Sequence, residues 1–311
     1  MLGELVRGRG AGGVRPGMIF LALPMERTDR KSTMSATAVP REMLLHVVKV
    51  LPSAPQILAQ LGELLLDMNS GLDDITALLK RDGALTARII RISNSAIYNS
   101  GTPFASIEES LARVGFTEVY RLTGFAAAAQ LSDRTLTLYG ITGAQLRENS
   151  LLTALVMEAL AELSGAEPRA AYTAGLLRST GKIALDRLTR DRAYSGSYNP
   201  RFALAEWENG FVGLDNCEAA AIILKEWRFP NRTISAIQQH YAPSASSPAL
   251  AFLLNLSAGA AARSGFGLVG ERSYWESVPD MLASAGVDEQ QLEDATRLAV
   301  ERFSPVRAAM A

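Results

Sequence analysis

The chain has 311 residues, 48% of them apolar, with 31 basic against 32 acidic side chains. It can fill one large core or two modest ones, and no net field draws it to nucleic acid or an anionic membrane. A single cysteine, Cys217, excludes an intramolecular disulfide framework and suits a reducing compartment, so a cytoplasmic location is expected.

Residues 1 to about 38 are rich in Gly, Arg, Ser and Thr without sustained periodicity, and a disordered leader is expected. The apolar stretch Gly17-Met-Ile-Phe-Leu-Ala-Leu-Pro-Met25 behind Arg7, Arg9 and Arg15 imitates a signal peptide but falls well short of the ~20 apolar residues of a membrane span. Glu26, Arg27, Asp29, Arg30 and Lys31 separate it from the nearest small-x-small site at Ala36-Thr-Ala38, so cleavage is not expected. The alternative is an extension upstream of a start at Met34. The folded body is expected to begin near Pro40, and His46 falls on an early helix.

Ser53-Ala-Pro-Gln56 reads as a capping box, followed by Ile57, Leu58, Leu61, Leu64, Leu65 and Met68 at helical spacing and a stop at Asn69-Ser-Gly71. Leu72, Ile75, Leu78 and Leu79 mark a short second helix. Asp82 is the expected cap of a third, with Leu85, Ile89 and Ile92 inward and Arg88 and Arg91 outward. Asn94-Ser95 lies at its end, where the tolerance of Asn for left-handed backbone and the turn preference of Ser explain both residues. Ser106-Ile-Glu-Glu109 is a second capping box, and Thr117 is the expected cap of an Ala-rich helix to Leu131.

The polar interval 132–143 divides the body into an N-terminal helical lobe, 39–140, and a second lobe with C-terminal helices, 141–311. In the second lobe a long helix is expected over 144–163, then the helical segment 172–188, with an apolar helix closed by Gly181. An irregular loop spans 194–200. Asp215-Asn-Cys-Glu218 opens a helix to Trp227 that Pro230 ends, and Asn231 caps the next, up to His240. A connector over 242–248, a helix over 251–263 and a final helix capped by Asp288 and running through Phe303 complete an all-α chain of about twelve helices on one continuous core.

In order and spacing these segments resemble the HDOD domain, the HD-related output domain of bacterial signalling proteins, from about Leu51 to Ser304. The residues that carry the resemblance are Leu51-Pro-Ser-Ala-Pro55, Asp82-Gly-Ala-Leu-Thr-Ala-Arg88, Asn94-Ser-Ala96 and Ser106-Ile-Glu-Glu-Ser-Leu-Ala-Arg-Val-Gly115. Further on they are Ala174-Gly-Leu-Leu177, Gly181-Lys182, Glu226-Trp-Arg-Phe-Pro230 and Ala236-Ile-Gln-Gln-His-Tyr241. The resemblance implies a fold shared with HD and HD-GYP metal-dependent phosphohydrolases, and it places the departures. Gly83 stands where relatives usually have proline, and Arg178-Ser179 replaces the His-Asp metal pair. Asp215-Asn216-Cys217 opens a helix that elsewhere opens with histidine, and His240-Tyr241 replaces a His-His pair.

Arg offers no lone pair and a neutral Ser hydroxyl is a weak ligand, so this pattern predicts a scaffold without its metal. Only His46 and His240 are present, with no CxxC or HExxH spacing, and no metal or other cofactor is expected. Gly175 to Lys182 is no P-loop, because five residues separate its glycines and Ile183 replaces the magnesium-binding hydroxyl. Cys217 lacks a neighbouring base in sequence and reads as a small buried apolar residue.

The expected function is a non-catalytic signal-transduction or regulatory module. It would bind a signalling protein partner or a small anionic ligand such as a nucleotide. Arg178, Ser179, Asn216 and His240 would line the inherited cleft, and Asn94 and Ser95 are a further contact candidate. The alternatives are a residual metal-dependent phosphohydrolase and a nucleic-acid-binding regulator using Lys80, Arg81, Arg88 and Arg91. A solvated helix face is the simpler reading of those four charges, and neither nucleic acid nor membrane is an expected partner.

Overall fold

A computed structural model describes residues 41–95, 98–99, 101–191, 196–276 and 278–310. The expected leader, the start at Met34 and the Tyr194 end of the 194–200 loop lie outside the described residues.

Six helices form the first half: α1 (Arg41–Val50), α2 (Ala54–Leu64), α3 (Leu72–Leu79), α4 (Gly83–Ser93), α5 (Ile107–Val114) and α6 (Phe116–Leu131). Nine follow: α7 (Gly143–Ser164), α8 (Pro168–Leu177), α9 (Thr180–Asp191), α10 (Leu204–Val212), α11 (Asn216–Glu226), α12 (Asn231–Gln239), α13 (Ala249–Ala261), α14 (Val278–Ala285) and α15 (Glu289–Met310). A π-turn over Ala262–Phe266 and a 3-10 turn over Arg272–Trp275 interrupt the connector between α13 and α14. The chain is all-α, and no strand occurs among the described residues beyond an isolated bridge between Leu136 and Ile141.

Helix α7 is the axis of the second half. Every residue from Asn149 to Ala161 is buried on it, which is the signature of a helix surrounded on all sides rather than laid on a surface. Helices α8, α13 and α15 pack around it, α9 packs on α11, and α11 packs on α12. In the first half α2 and α4 pack on α6, whereas α1 crosses over to lie on α9 and α11. One cluster of buried apolar side chains therefore runs from Leu44 on α1 to Val306 on α15.

Local chemistry sets several helix starts as expected. Asp82 accepts from Leu85 N–H at 2.9 Å, Asp215 and Glu218 form a reciprocal capping box, and Asp288 accepts from Gln291 N–H at 2.8 Å. Three expected caps are corrected. Ser53 makes no cap bond and donates instead to Asp82 Oδ2 at 2.9 Å. Helix α6 starts one residue ahead of Thr117, off Gly115, and α12 starts on Asn231 itself behind Pro230, so neither side chain is at the N-cap position. At the second expected box, Ser106 accepts from Glu109 N–H, but Glu109 turns back to Ala105 N–H, one residue short.

The segment 172–188 is two helices, broken at Arg178 and Ser179. Gly181 does not close the first; it lies inside α9, where a Cβ would come within 1.7 Å of the Asn216 carbonyl oxygen. Gly175 on α8 likewise faces the Ala154 backbone of α7, with 2.6 Å available to a Cβ. Only glycine permits these two approaches. Helices α10 and α14 were not foreseen, and α15 continues past Phe303 through Pro305.

A candidate site built on a buried ion network

The break between α8 and α9 turns Arg178 inward, and Lys182 follows one helical turn later on α9. Both side chains are fully buried, and both converge on Glu271, which lies just before the 3-10 turn of the α13–α14 connector. The Arg178 fork donates to Glu271 through Nη1 at 3.0 Å and Nη2 at 2.9 Å, and Nη2 also reaches Asn149 Oδ1 on α7. Lys182 Nζ donates to Glu271 Oε1 at 2.7 Å, to Asn216 Oδ1 at 3.2 Å and to the Tyr241 hydroxyl. The Tyr241 hydroxyl in turn donates to Glu271 Oε1 at 2.9 Å.

A second buried carboxylate stands behind the first. Glu208 on α10 accepts from both the backbone and side-chain N–H of Asn216 at 2.8 Å and from the Tyr139 hydroxyl at 2.7 Å. Two cations, two carboxylates and their neutral partners thus form one connected network through the second half of the molecule. Such a cluster is tolerable in an apolar interior only because its members face one another.

Burial dominates the electrostatics. It would raise the Glu271 carboxyl, but the adjacent Arg178 and Lys182 cations overcome it and hold the group well below the usual carboxylate range. For Glu208 burial prevails over Lys182 and the donated hydrogen bonds, and its carboxyl is pushed up. Burial, reinforced by the charge on Arg178, lowers His240 to about 3. Its Nδ1 lies 2.7 Å from the Ile237 carbonyl oxygen, so the neutral ring donates there. Burial also raises the Cys217 thiol well above its ordinary value.

Four of the expected site residues meet in this region, but packed rather than around an open cleft. Arg178, Ser179, Asn216 and His240 are all buried, and Arg178 Nε, Ser179 Oγ and His240 Nε2 have no hydrogen-bond partner among the described residues. His240 stacks on Trp275 with ring centres 6.0 Å apart, and its carbonyl accepts from Asn255.

Asn94 and Ser95 are not joined to this network. Asn94 ends α4 in right-handed backbone, not left-handed, and grips the next loop with both ends of its amide: Oδ1 accepts from Phe104 N–H and Nδ2 donates to the Phe104 carbonyl at 2.9 Å. The basic cluster is largely engaged by the chain itself, Lys80 with Glu108, Arg81 with Gln60 and Arg88 with Asp133. His46 is on the surface.

Sequence reasoning missed Lys182, Glu271, Tyr241, Glu208 and Asn149 as members of one site. The available signal was the spacing of Arg178 and Lys182: two cations four residues apart in an apolar helical segment require a buried counter-charge. The identity of that counter-charge, some ninety residues downstream, had no local signal.

The donor set does not suit a hydrolytic metal. Two permanent or strongly held cations occupy the centre beside a single carboxylate, and no three His, Cys, Asp or Glu side chains come together among the described residues in a way that could hold a metal ion.

The HDOD domain matches residues 51–243 of this chain, so Glu271 lies beyond the matched segment. No curated protein matches the sequence. Among solved structures, an HDOD domain protein from Geobacter sulfurreducens is similar with a TM-score of 0.63 at 20% identity, over 87% of this chain and 98% of its own. A candidate signal transduction protein from Marinobacter aquaeolei VT8 gives a TM-score of 0.67 at 19% identity, over 90% of this chain and 68% of its own. A candidate phosphohydrolase from Shewanella amazonensis SB2B gives 0.57 at 21% identity, over 89% and 100%. These likenesses are of fold. Together with a family match over more than half of the chain, they make it a member of the HDOD family, with an ion network at the heart of its HD-like half.

Proposed function

We propose that the chain is a non-catalytic regulatory module that acts through a protein partner or a small anionic ligand. One observation carries this reading. Three of the positions at which the sequence departs from the HD ligand pattern, Arg178, Asn216 and Tyr241, meet around Glu271 together with Lys182. Where a phosphohydrolase would hold a metal and a water, this interior holds a guanidinium and an ammonium whose donors are turned onto Glu271, Asn216, Tyr241 and Asn149. A metal cation placed among them would meet two like charges and one already saturated carboxylate.

A protein partner is favoured over a ligand in the old cleft. The four cleft residues are buried, whereas the turn between α2 and α3 exposes Leu66 and Met68, and the start of α3 exposes Leu72, with Met68 99% accessible. The solved relative described as a candidate signal transduction protein agrees with a regulatory role.

The test is metal analysis of the purified chain combined with an assay of phosphodiester hydrolysis in the presence of manganese, magnesium or zinc. No turnover is expected, and none in the double variant Arg178→His, Ser179→Asp, because the remaining ligand positions stay Asn216 and Tyr241. Metal-dependent hydrolysis by the unmodified chain that Glu271→Gln abolishes would overturn the reading.

A further inference from the structure

A cavity of about 210 Å³ lies where the turn between α1 and α2, the C-terminal end of α6 with the following turn, and the outer side of α9 come together. Arg134, Arg187 and Arg190 line it, with the carboxylates Asp133 and Asp186. Both carboxylates are already engaged. Asp186 is buried and accepts from Leu138 N–H at 2.8 Å, from Thr137 Oγ1 at 3.2 Å and from Arg190, while Asp133 faces Arg88 at 3.9 Å.

Neither of the other two arginines makes a side-chain hydrogen bond to a described residue. Arg187 Nε has a long ion pair with Asp191, one turn along α9 at 3.8 Å, which like that between Asp133 and Arg88 is beyond hydrogen-bond reach. Arg187 Nε is shut off from solvent and has no acceptor among the described residues. Arg134, on the turn after α6, forms no ion pair or side-chain hydrogen bond with them either. An N–H shut off from solvent is costly to leave without an acceptor, and no described residue brings one within hydrogen-bond distance of Arg187 Nε.

We propose that this cavity binds a small phosphoryl-bearing ligand, a phosphate monoester or a diphosphate, held by Arg187 and Arg134. A carboxylate presents two oxygens in one plane, whereas a phosphoryl group presents three in a tetrahedral array and can serve two forks arriving from different elements. Val50, Leu51, Pro52 and Ile183 add an apolar part to the lining, which suits the carbon side of an ester. The volume admits a phosphoryl group with a few further atoms, and a nucleotide base would remain outside. Such a ligand would tie the turn after α6 to α9, the helix whose first turn carries Lys182 of the buried network.

The experiment is calorimetric titration of the full chain at low ionic strength with pyrophosphate and with glycerol phosphate, and with citrate as a carboxylate control. Saturable one-site binding of a phosphoryl probe is expected, at least tenfold weaker in R187Q and in R134Q. R187K, which keeps the charge but loses the Nε donor, is expected to be weakened as well, and R297Q on α15 is expected to bind as the unmodified chain does. Unchanged melting temperatures would establish that the variants fold, since Arg134 is exposed and Arg187 partly so. Absence of saturable binding, equal affinity in R187Q, or citrate binding as tightly as the phosphoryl probes would overturn the proposal. Hydrolytic activity is read separately, so failure here leaves the non-catalytic reading standing.

Discussion

Glu271 holds two buried cations, and its removal has a larger expected effect than that of any single apolar residue near it. Glu271→Gln would leave Arg178 and Lys182 buried without a full counter-charge, with an expected loss of about 3–5 kcal/mol in denaturant unfolding. If the network is costly in itself, the triple replacement Arg178→Met, Lys182→Met, Glu271→Leu should recover most of that loss. A triple variant as unstable as Glu271→Gln would mean that the network stabilises the fold beyond mutual neutralisation.

Acid should weaken the fold through two residues in turn. The folded His240 takes up a proton only near pH 3, whereas the unfolded ring does so near its ordinary value of 6.5. Between those values the unfolded chain binds the extra proton, and stability falls with decreasing pH, with a slope approaching about 1.4 kcal/mol per pH unit. Glu271 is depressed in the fold, so its contribution is present above the unfolded carboxyl value and is lost as pH falls through the folded one. Unfolding free energies measured from pH 7 to 4 should therefore decline, and His240→Gln should flatten the part above pH 5. An unchanged slope in that variant would exclude His240 as its source.

At the scale of elements, the contact between α9 and α11 depends on a missing side chain. Gly181→Ala would drive a Cβ onto the Asn216 carbonyl, and a loss of about 3 kcal/mol or more is expected in denaturant unfolding. Gly83, in the first turn of α4, has nothing within 4 Å of its would-be Cβ, and Gly83→Ala should be neutral or stabilise by up to about 1 kcal/mol. The two substitutions are identical in sequence terms. Their difference lies in what packs opposite, which is why helix existence was legible in the apolar spacing of α2, α4 and α7 while the close approach at Gly181 was not. The caps divide in the same way. Asp82, Asp215 and Asp288 act through their own first turn, whereas Ser53 is drawn away by Asp82, twenty-nine residues on.

At the scale of the whole molecule, the apolar core is continuous from α1 to α15, and α1 belongs spatially with α9 and α11. Unfolding of the two halves should therefore be coupled. Far-ultraviolet circular dichroism, which sees every helix, and the fluorescence of Trp207, Trp227 and Trp275, which all lie in the second half, should follow one urea transition. Separated midpoints would show that the halves unfold independently.

The sequence by itself determined the all-α class and the positions of most helices, because periodicity and end-capping act within a few residues along the chain, and its resemblance to the HDOD domain pointed to the family and to a departure from the HD ligand pattern. Only the tertiary structure decided what replaced that pattern. Arg178, Lys182, Asn216, Tyr241 and Glu271 come from four helices or their ends and a connector, and a buried charge selects its partner by proximity in space. The same reason hid the cavity beside Arg187, whose walls come from three separate parts of the chain.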